Sequence, residues 1–354
     1  MKKLKAGIVG FGRIGQFGHY TEMNEYPDRF EVAAVADILP ERLEDARKKN
    51  PAIQTCSSLE EMLANSDLDI ITIATRHPDH VPMALKIMEA GKIAVVEKPV
   101  ATSLQEMDEL LAAGKAHPGK LYFRHNRRFE APFIKVRQLI RDDVIGSVQY
   151  IKLYRSVGFC RRNDWMTMTE FYGGLLTNWG PHLIDQALQF LEAPVADLWA
   201  DVRSVVSIGD GDDLFKILLK AENGRLADIE VSGSNTMPGR QMEITGNRGT
   251  IVYNGGKEIE VRRIDPSVEL KPLKPHPETP GLSYGNHDEK LYFVEEKYQV
   301  PEIPFSTLWV KIHESVTEGK EFPITPAEAR EVVRVTEEAF RKSGFKPILN
   351  YKRS

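Results

Sequence analysis

Three glycines directly after the first apolar run limit what the N-terminal part of this chain can form. The run "KAGIVG" leads into "GFGRIGQ", so Gly10, Gly12 and Gly15 follow a predicted strand and open a predicted helix. The first glycine of such a unit permits a tight turn, the second lets the backbone approach a pyrophosphate, and the third lets helix and strand pack closely. The pattern therefore predicts a dinucleotide-binding turn.

Asp37 ends the second apolar run, "EVAAVAD", 22 residues after Gly15. A carboxylate there can accept hydrogen bonds from the adenosine ribose and would repel a 2′-phosphate, which favours NAD over NADP. Arg13 and Arg42 leave NADP open as the alternative, because arginine is the usual partner of that phosphate. The alternative is a purely structural role, in which the glycines form a tight strand–helix turn and Asp37 only caps the next helix.

Residues 1–123 alternate solidly apolar strands with helical stretches, which predicts a Rossmann domain built on a doubly wound parallel sheet. The strands are "KAGIVG", "EVAAVAD", "LDIITIAT" and "KIAVVEKP", and "HVPMALKIMEAG" is a helix that ends before Gly91. The fold class is therefore α/β in this part of the chain.

Residues 124–354 have longer amphipathic strands and hairpin-like turns such as "AENGR" and "TGNRGT". They predict an α+β domain with a large, mostly antiparallel, open-faced sheet and one helix inserted from about Pro181. A C-terminal helix over 326–343, capped by Thr325, is expected to pack back on the first domain. The uncovered sheet face predicts a homodimer or homotetramer. Pro-rich residues 271–281 read as a loop.

"EKPV" ends a strand of the first domain, at the edge where open parallel sheets bind ligands. Lys98 is there placed to hydrogen-bond a substrate hydroxyl and stabilise the oxyanion that forms as hydride leaves. Without the glycine turn, a strand-end lysine in a surface ion pair would be the default interpretation.

"GGLLTNWGPHLIDQ" places His182 in the first turn of a helix, just after Pro181. The apolar stripe runs through Ile184 and Leu188, while His182 and Asp185 share another stripe. The positive helix end and nearby Lys98 disfavour imidazolium, so the ring is expected to be neutral and able to act as a general base. A capping or partly buried histidine is the alternative.

Together, the glycine turn, Glu97-Lys98-Pro99, "NRRF" at 126–129 and "GGLLTNWGPHLID" resemble the Gfo/Idh/MocA oxidoreductases, the relatives of glucose-fructose oxidoreductase and inositol dehydrogenase. The resemblance implies metal-free hydride transfer between NAD(P) and a secondary alcohol of a sugar or cyclic polyol. It implies that Lys98 and His182 are catalytic. The family pattern expects an aspartate where this chain has Asn178, which removes one carboxylate from the site.

The predicted site residues fall into two groups. Cofactor contacts are assigned to Gly10, Phe11, Gly12, Arg13, Ile14, Gly15, Asp37, Thr75, His80, Glu97 and Lys98. Substrate contacts are assigned to Asn178, Arg127, Arg162, Asp164 and Trp165, with Trp165 stacking on a sugar ring. A solvated loop with one anchoring tryptophan is the alternative for 160–168.

Composition limits the partners and the compartment. A net charge of -4 gives no basic field for nucleic acid, and no apolar stretch reaches membrane-spanning length. Two cysteines without zinc spacing predict neither a disulfide framework nor a metal site, and favour a reducing cytoplasm. The leading hypothesis is an NAD-dependent sugar or inositol-like dehydrogenase or reductase. Alternatives are a glycosidase that acts by transient oxidation and elimination, and a non-catalytic NAD- or sugar-binding regulator.

Overall fold

A computed structural model describes residues 2–64, 67–159, 161–237, 239–272, 274, 277 and 291–351. Cys160 and most of the predicted loop 271–281 lie outside the described residues. Within these ranges no helix is long and apolar enough to cross a membrane.

A six-stranded parallel sheet forms the first layer, with the strand order β3-β2-β1-β4-β5-β6 of a Rossmann fold. Its strands are β1 (Leu4–Val9), β2 (Phe30–Ala36), β3 (Gln54–Cys56), β4 (Ile70–Ile73), β5 (Ile93–Glu97) and β6 (Leu121–Arg124). Every residue of β4 and β5 is buried, so both sheet faces are covered. The predicted parallel domain is confirmed, and β3 and β6 are added to it.

Helices lie between these strands in the chain, and the one predicted over "HVPMALKIMEAG" is among them. A π-helical segment (Gly15–Thr21) continues into α1 (Glu22–Asn24) after the glycine turn. The others are α2 (Pro40–Lys49), α3 (Leu59–Leu63), α4 (His80–Glu89) and α5 (Leu104–Ala116). Gly91 follows α4 with a φ of 73°, which glycine adopts without strain.

An eight-stranded sheet forms the second layer, in the order β14-β13-β12-β11-β7-β10-β9-β8. Its strands are β7 (Val148–Ser156), β8 (Val195–Arg203), β9 (Leu214–Ala221), β10 (Leu226–Ser232), β11 (Met242–Gly246), β12 (Gly249–Tyr253), β13 (Glu258–Ile264) and β14 (Phe293–Gln299). All neighbours are antiparallel except β7 and β10. The predicted mostly antiparallel sheet is thus confirmed.

Helices of the second half cover one face of the eight-stranded sheet. They are α6 (Ala131–Arg141), α7 (Leu175–Asn178), α8 (Gly180–Leu191) and α10 (Pro326–Ser343), whereas α9 (Thr307–Glu318) packs elsewhere. Helix α10 has the bounds predicted from its ends: Thr325 and Glu328 form a capping box, and Gly344 follows with a φ of 76°. It packs against α5 of the first layer and α8 of the second.

Helix α9 was not anticipated and belongs to the first core, although it follows the second sheet in the chain. Leu308, Trp309 and Ile312 are fully buried there. The Trp309 indole donates a hydrogen bond to Glu22 at 3.1 Å. The division of the chain into two domains at residue 123 stays a prediction. The structure shows in addition that the chain returns to the first core at α9.

Arg128 ties three segments of the second half together. Its guanidinium makes a two-pronged ion pair with Asp185 of α8, in which Nε lies 3.0 Å from Oδ2. Its Nη1 donates to the Pro323 carbonyl and to Glu328 of α10, at 2.8 and 3.0 Å. The side chains of the pair are only 5% and 2% exposed. A buried pair of this kind is costly to break, because the remaining charge has no other partner.

We expect Arg128→Met to lower the free energy of unfolding by about 3–5 kcal/mol, since it leaves Asp185 buried without its cation. Arg341, which is 66% exposed and pairs with Glu338, provides the control. Its change to methionine should cost less than about 1 kcal/mol. Urea unfolding followed by circular dichroism measures both variants. Equal stability of the two would contradict the assigned role of Arg128.

Candidate active site

A cavity of about 330 Å³ opens at the carboxyl ends of β1, β2 and β4. This is the point where the strand order reverses and where ligands of doubly wound sheets bind. Among its wall residues are Gly10, Gly12, Asp37, Arg42 and Thr75. The structure therefore brings the predicted glycine turn and the predicted ribose-binding carboxylate to one groove.

Each of the three positions favours glycine for a different structural reason. Gly10 has a φ of 87°, and a Cβ there would lie 2.4 Å from the Ala74 carbonyl oxygen. A Cβ on Gly15 would lie 2.0 Å from the carbonyl oxygen of Gly10. A Cβ on Gly12 would meet nothing within 4 Å, so its missing side chain leaves open space in the groove. This turn fits a dinucleotide, because Gly12 leaves room for a pyrophosphate against the backbone.

Asp37 is bonded to the turn that it faces. One carboxylate oxygen accepts the backbone N–H of Phe11 at 2.6 Å, and the other accepts that of Leu39 at 3.0 Å. A carboxylate offers about four acceptor positions, so two remain for ribose hydroxyls. The Phe11 side chain is fully buried, so this residue contacts Asp37 through its backbone N–H, whereas the Ile14 side chain is 41% exposed.

Glu97 is the last residue of β5 and is buried. Its Oε1 accepts from Arg124 at 2.6 Å and lies 3.1 Å from Nε2 of His19, and its Oε2 accepts the N–H of Lys98. Burial raises the pKa of Glu97, but Arg124, His19 and Lys98 together outweigh it and hold the pKa well below its usual range. The carboxylate thus binds protein groups, and a direct cofactor contact by Glu97 stays a prediction.

Lys98 reaches from the first domain to the second. Its ammonium donates to the backbone carbonyl of Asn178 at 2.9 Å and to the side-chain oxygen of Asn178 at 2.8 Å. The pKa of Lys98 is lowered to about 8, chiefly by burial; the charge of Glu97 opposes this effect, and nearby Arg127 adds to it. The Lys98–Pro99 peptide is cis. Asn178, where the family pattern expects an acid, is therefore an acceptor for the predicted catalytic lysine.

His182 lies in the first turn of α8 and is 8% exposed. Its Nδ1 is buried without a hydrogen-bond partner among the described residues. Burial lowers the pKa of His182 well below its usual value, and the charges of Lys98 and Arg127 lower it further. The imidazole is therefore neutral at pH 7, as a general base must be. Its neighbour on the predicted polar stripe, Asp185, is occupied by Arg128.

Arg127 lies beside this pair. Its guanidinium carbon lies 4.4 Å from the ring centroid of Trp179, and Nη1 bonds Glu130 at 2.7 Å. The Trp179 ring lies 6.0 Å from that of His182. Arg127 is therefore within the electrostatic reach of both predicted catalytic groups, which is consistent with its predicted place at the substrate.

His80 and Thr75 support the strand ends. The Nδ1 of His80 lies 2.8 Å from the Pro99 carbonyl, and its Nε2 lies 3.4 Å from the Thr75 carbonyl. His80 is 1% exposed, so it links the ends of β4 and β5 from within. Arg13 is exposed and acts on Lys98 through its charge.

Residues of the predicted sugar-binding loop line two different cavities. Arg162 bonds Asp164 at 2.6 Å, and Asp164 also caps the turn by accepting the N–H of Met166. Arg162 lines a small cavity with Asn178. Trp165 instead lines the large groove, with its ring 4.9 Å from that of His77. The stacking of Trp165 on a sugar stays a prediction. Because Trp165 lines the groove suited to a dinucleotide, its position favours a contact with the cofactor.

Several contributors were not found from the sequence. His19 and Arg124 hold Glu97, and His77 joins the domains by a 2.8 Å contact between Nδ1 and the Tyr172 carbonyl. The only sequence signal was their residue type at strand or helix ends. Among the residues that the structure describes, no group of three or more His, Cys, Asp or Glu side chains could hold a metal ion.

Comparisons with known proteins agree with this architecture. Residues 4–125 match the oxidoreductase family with an NAD-binding Rossmann fold, and residues 133–252 match the GFO/IDH/MocA C-terminal domain. A scyllo-inositol 2-dehydrogenase (NADP(+)) of Bacillus subtilis is 25% identical over 96% of this chain and 94% of its own. An inositol 2-dehydrogenase of Rhizobium meliloti is 27% identical over 73% of this chain and 78% of its own.

Solved structures share the fold. An NAD-binding protein from Listeria innocua superimposes with a TM-score of 0.80 at 24% identity, covering 97% of this chain and 95% of its own. GenD2 from gentamicin A biosynthesis, in complex with NAD, gives a TM-score of 0.74 at 20% identity, covering 98% and 95%. With both domain models matched in order along the chain, this protein belongs to the Gfo/Idh/MocA family of NAD-binding oxidoreductases.

Proposed function

We propose that this protein is an NAD-dependent dehydrogenase or reductase that acts on a secondary alcohol of a sugar or cyclic polyol. The observation that carries the proposal is the pairing of Lys98 with Asn178 beside a neutral, buried His182. These groups come from two domains, and Lys98 follows β5, the neighbour of β4, whose carboxyl end lines the groove suited to a dinucleotide. Relatives named as inositol dehydrogenases support the substrate class.

In the proposed mechanism a bound nicotinamide supplies the hydride acceptor. His182 takes the proton of the substrate hydroxyl, since its ring is neutral at pH 7. Lys98 donates a hydrogen bond to the same oxygen and stabilises the negative charge that grows there, assisted by the charge of Arg127. Asn178 orients the lysine through both of its oxygen atoms.

NAD is the proposed cofactor, because the carboxylate of Asp37 faces the groove and would repel a 2′-phosphate. Arg42 lines the same groove and is the residue through which NADP would be accepted. Binding assays with NADH and NADPH on the same protein measure the preference directly.

Two further proposals concern the protein as a whole. Trp199 and Leu218 pair on the outer face of the second sheet and are 52% and 39% exposed, which supports a homo-oligomer through that face. A cytoplasmic location is supported by Cys56, which is a free buried thiol.

We expect Gly12→Ala to raise the Kd for NADH at least about ten-fold, because the added methyl group occupies space that the pyrophosphate requires. Gly256→Ala is the matched control: a Cβ there also meets nothing within 4 Å, on the β12–β13 turn of the second sheet. Fluorescence titration with NADH measures both. Wild-type affinity in the Gly12 variant would show that the dinucleotide does not lie against this turn.

His182→Ala is expected to lower kcat by about 10²–10⁴, the usual contribution of a positioned general base. NADH affinity should stay within two-fold, since the ring is not assigned to the groove. His117→Ala, at the end of α5 in the first domain, is the control for loss of a histidine. The assay is NADH formation with a panel of polyols and sugars, including sugar acids because the site is rich in cations. Near-normal turnover in the His182 variant would refute its role.

The pH profile of the oxidation should reflect Lys98. A lysine with a pKa of about 8 carries its charge below that pH and loses it above. The rate is therefore expected to be level from about pH 6 to 7, to be about halved near pH 8 and to fall about ten-fold per unit well above 8, since only the ammonium form stabilises the oxyanion. Initial rates at saturating NAD measure this. Lys98→Arg should move the fall beyond the measured range, and a wild-type rate that keeps rising to pH 9.5 would contradict the assignment.

A further inference from the structure

Two residues in the wall of the dinucleotide groove come from outside the Rossmann domain. One is Trp165 of the second domain, and the other is Tyr351, close to the C-terminus of the chain. No part of the proposed chemistry uses Tyr351. Tyr351 nevertheless lines the same cavity as Gly12 and Asp37.

Tyr351 has specific contacts with both domains. Its hydroxyl donates to Oδ2 of Asp79, which follows β4, at 3.2 Å. Its ring lies 5.1 Å from the ring of Phe171 at an angle of 67°, an edge-to-face arrangement. The tail thus spans from the first domain to the second across the rim of the groove.

Arg76 lies against the same two rings. Its guanidinium carbon is 4.1 Å from the ring centroid of Phe171 and 5.6 Å from that of Tyr351. Arg76 directly follows Thr75 at the end of β4 and lines the groove. Both aromatic rings contact this cation, so Tyr351 contributes to fixing a positive charge at the site of an anionic ligand.

We propose that Tyr351 is a cofactor-binding residue, with which the C-terminal segment closes the groove over the dinucleotide and slows its release. Trp165 lines the same groove and is held by ring contacts with His77 and with Phe171, the ring that Tyr351 also contacts. Release of the dinucleotide then requires the Asp79–Tyr351 bond and the ring contacts to open. The proposal rests on dinucleotide binding in the groove and does not depend on the substrate or on His182.

The test measures binding and release of NADH by the full-length protein. Tyr351→Ala removes the ring and the hydroxyl, so we expect the NADH dissociation rate to rise about ten-fold or more, with little change in the association rate. Tyr351→Phe keeps the ring and should raise the dissociation rate about three-fold, the effect of losing one modest hydrogen bond. Stopped-flow fluorescence with excess NAD as competitor gives the rates.

Leu349→Ala is the matched control, since this tail residue is 48% exposed and is not in the groove wall. It should leave both rates unchanged, and unchanged melting temperatures should show that all variants fold. Dissociation within two-fold of wild type in Tyr351→Ala, or tighter NADH binding, would overturn the proposal. Neither result would bear on the polyol chemistry, because the readout contains no substrate. Conversely, failure to find a polyol substrate would leave this prediction standing.

Discussion

The geometry of the site depends on the buried carboxylate of Glu97. It binds Arg124 through one oxygen and the backbone N–H of Lys98 through the other, so it fixes the point from which the lysine leaves β5. Arg124 also bonds Glu22 at 2.7 Å, and Glu22 accepts from Trp309. An unpaired charge costs several kcal/mol in such surroundings, so these groups hold one another in place. Helix α9, which returns to the first core, supplies one donor of this network through Trp309.

Asn178 changes the charge of the site without leaving Lys98 unbonded. An aspartate would bring a negative charge next to the ammonium and favour its charged form. The amide gives the same oxygen acceptor without that charge, so the field at Lys98 and His182 stays positive. That field lowers the pKa of His182 and favours any oxyanion formed between the two groups. The substitution therefore shifts the balance toward stabilising the oxyanion and away from holding imidazolium.

Much of the fold was predictable because its signals are local. Apolar runs of β-branched residues predicted four strands of the first sheet, and Thr325 with Gly344 predicted both ends of α10. The glycine turn was predictable for the same reason, since its three positions lie within six residues. Helix α9 also has an amphipathic pattern, yet nothing in its own sequence indicates that it packs on the first sheet. That choice is made by Glu22 and the core around Phe30, nearly 300 residues earlier.

The candidate site likewise combines residues that local motifs predict with contacts between residues far apart in the sequence. Lys98 and His182 could be named from their local motifs, but the bonds between Lys98 and Asn178 join positions 80 apart. The bond of Tyr351 to Asp79 joins positions 272 apart. Both are contacts between domains, and hydride transfer tolerates little error in the distance between reacting groups. The first domain holds the lysine and the groove, while the second holds the histidine. Their alignment, maintained by these long-range contacts, is therefore itself a requirement of the proposed reaction.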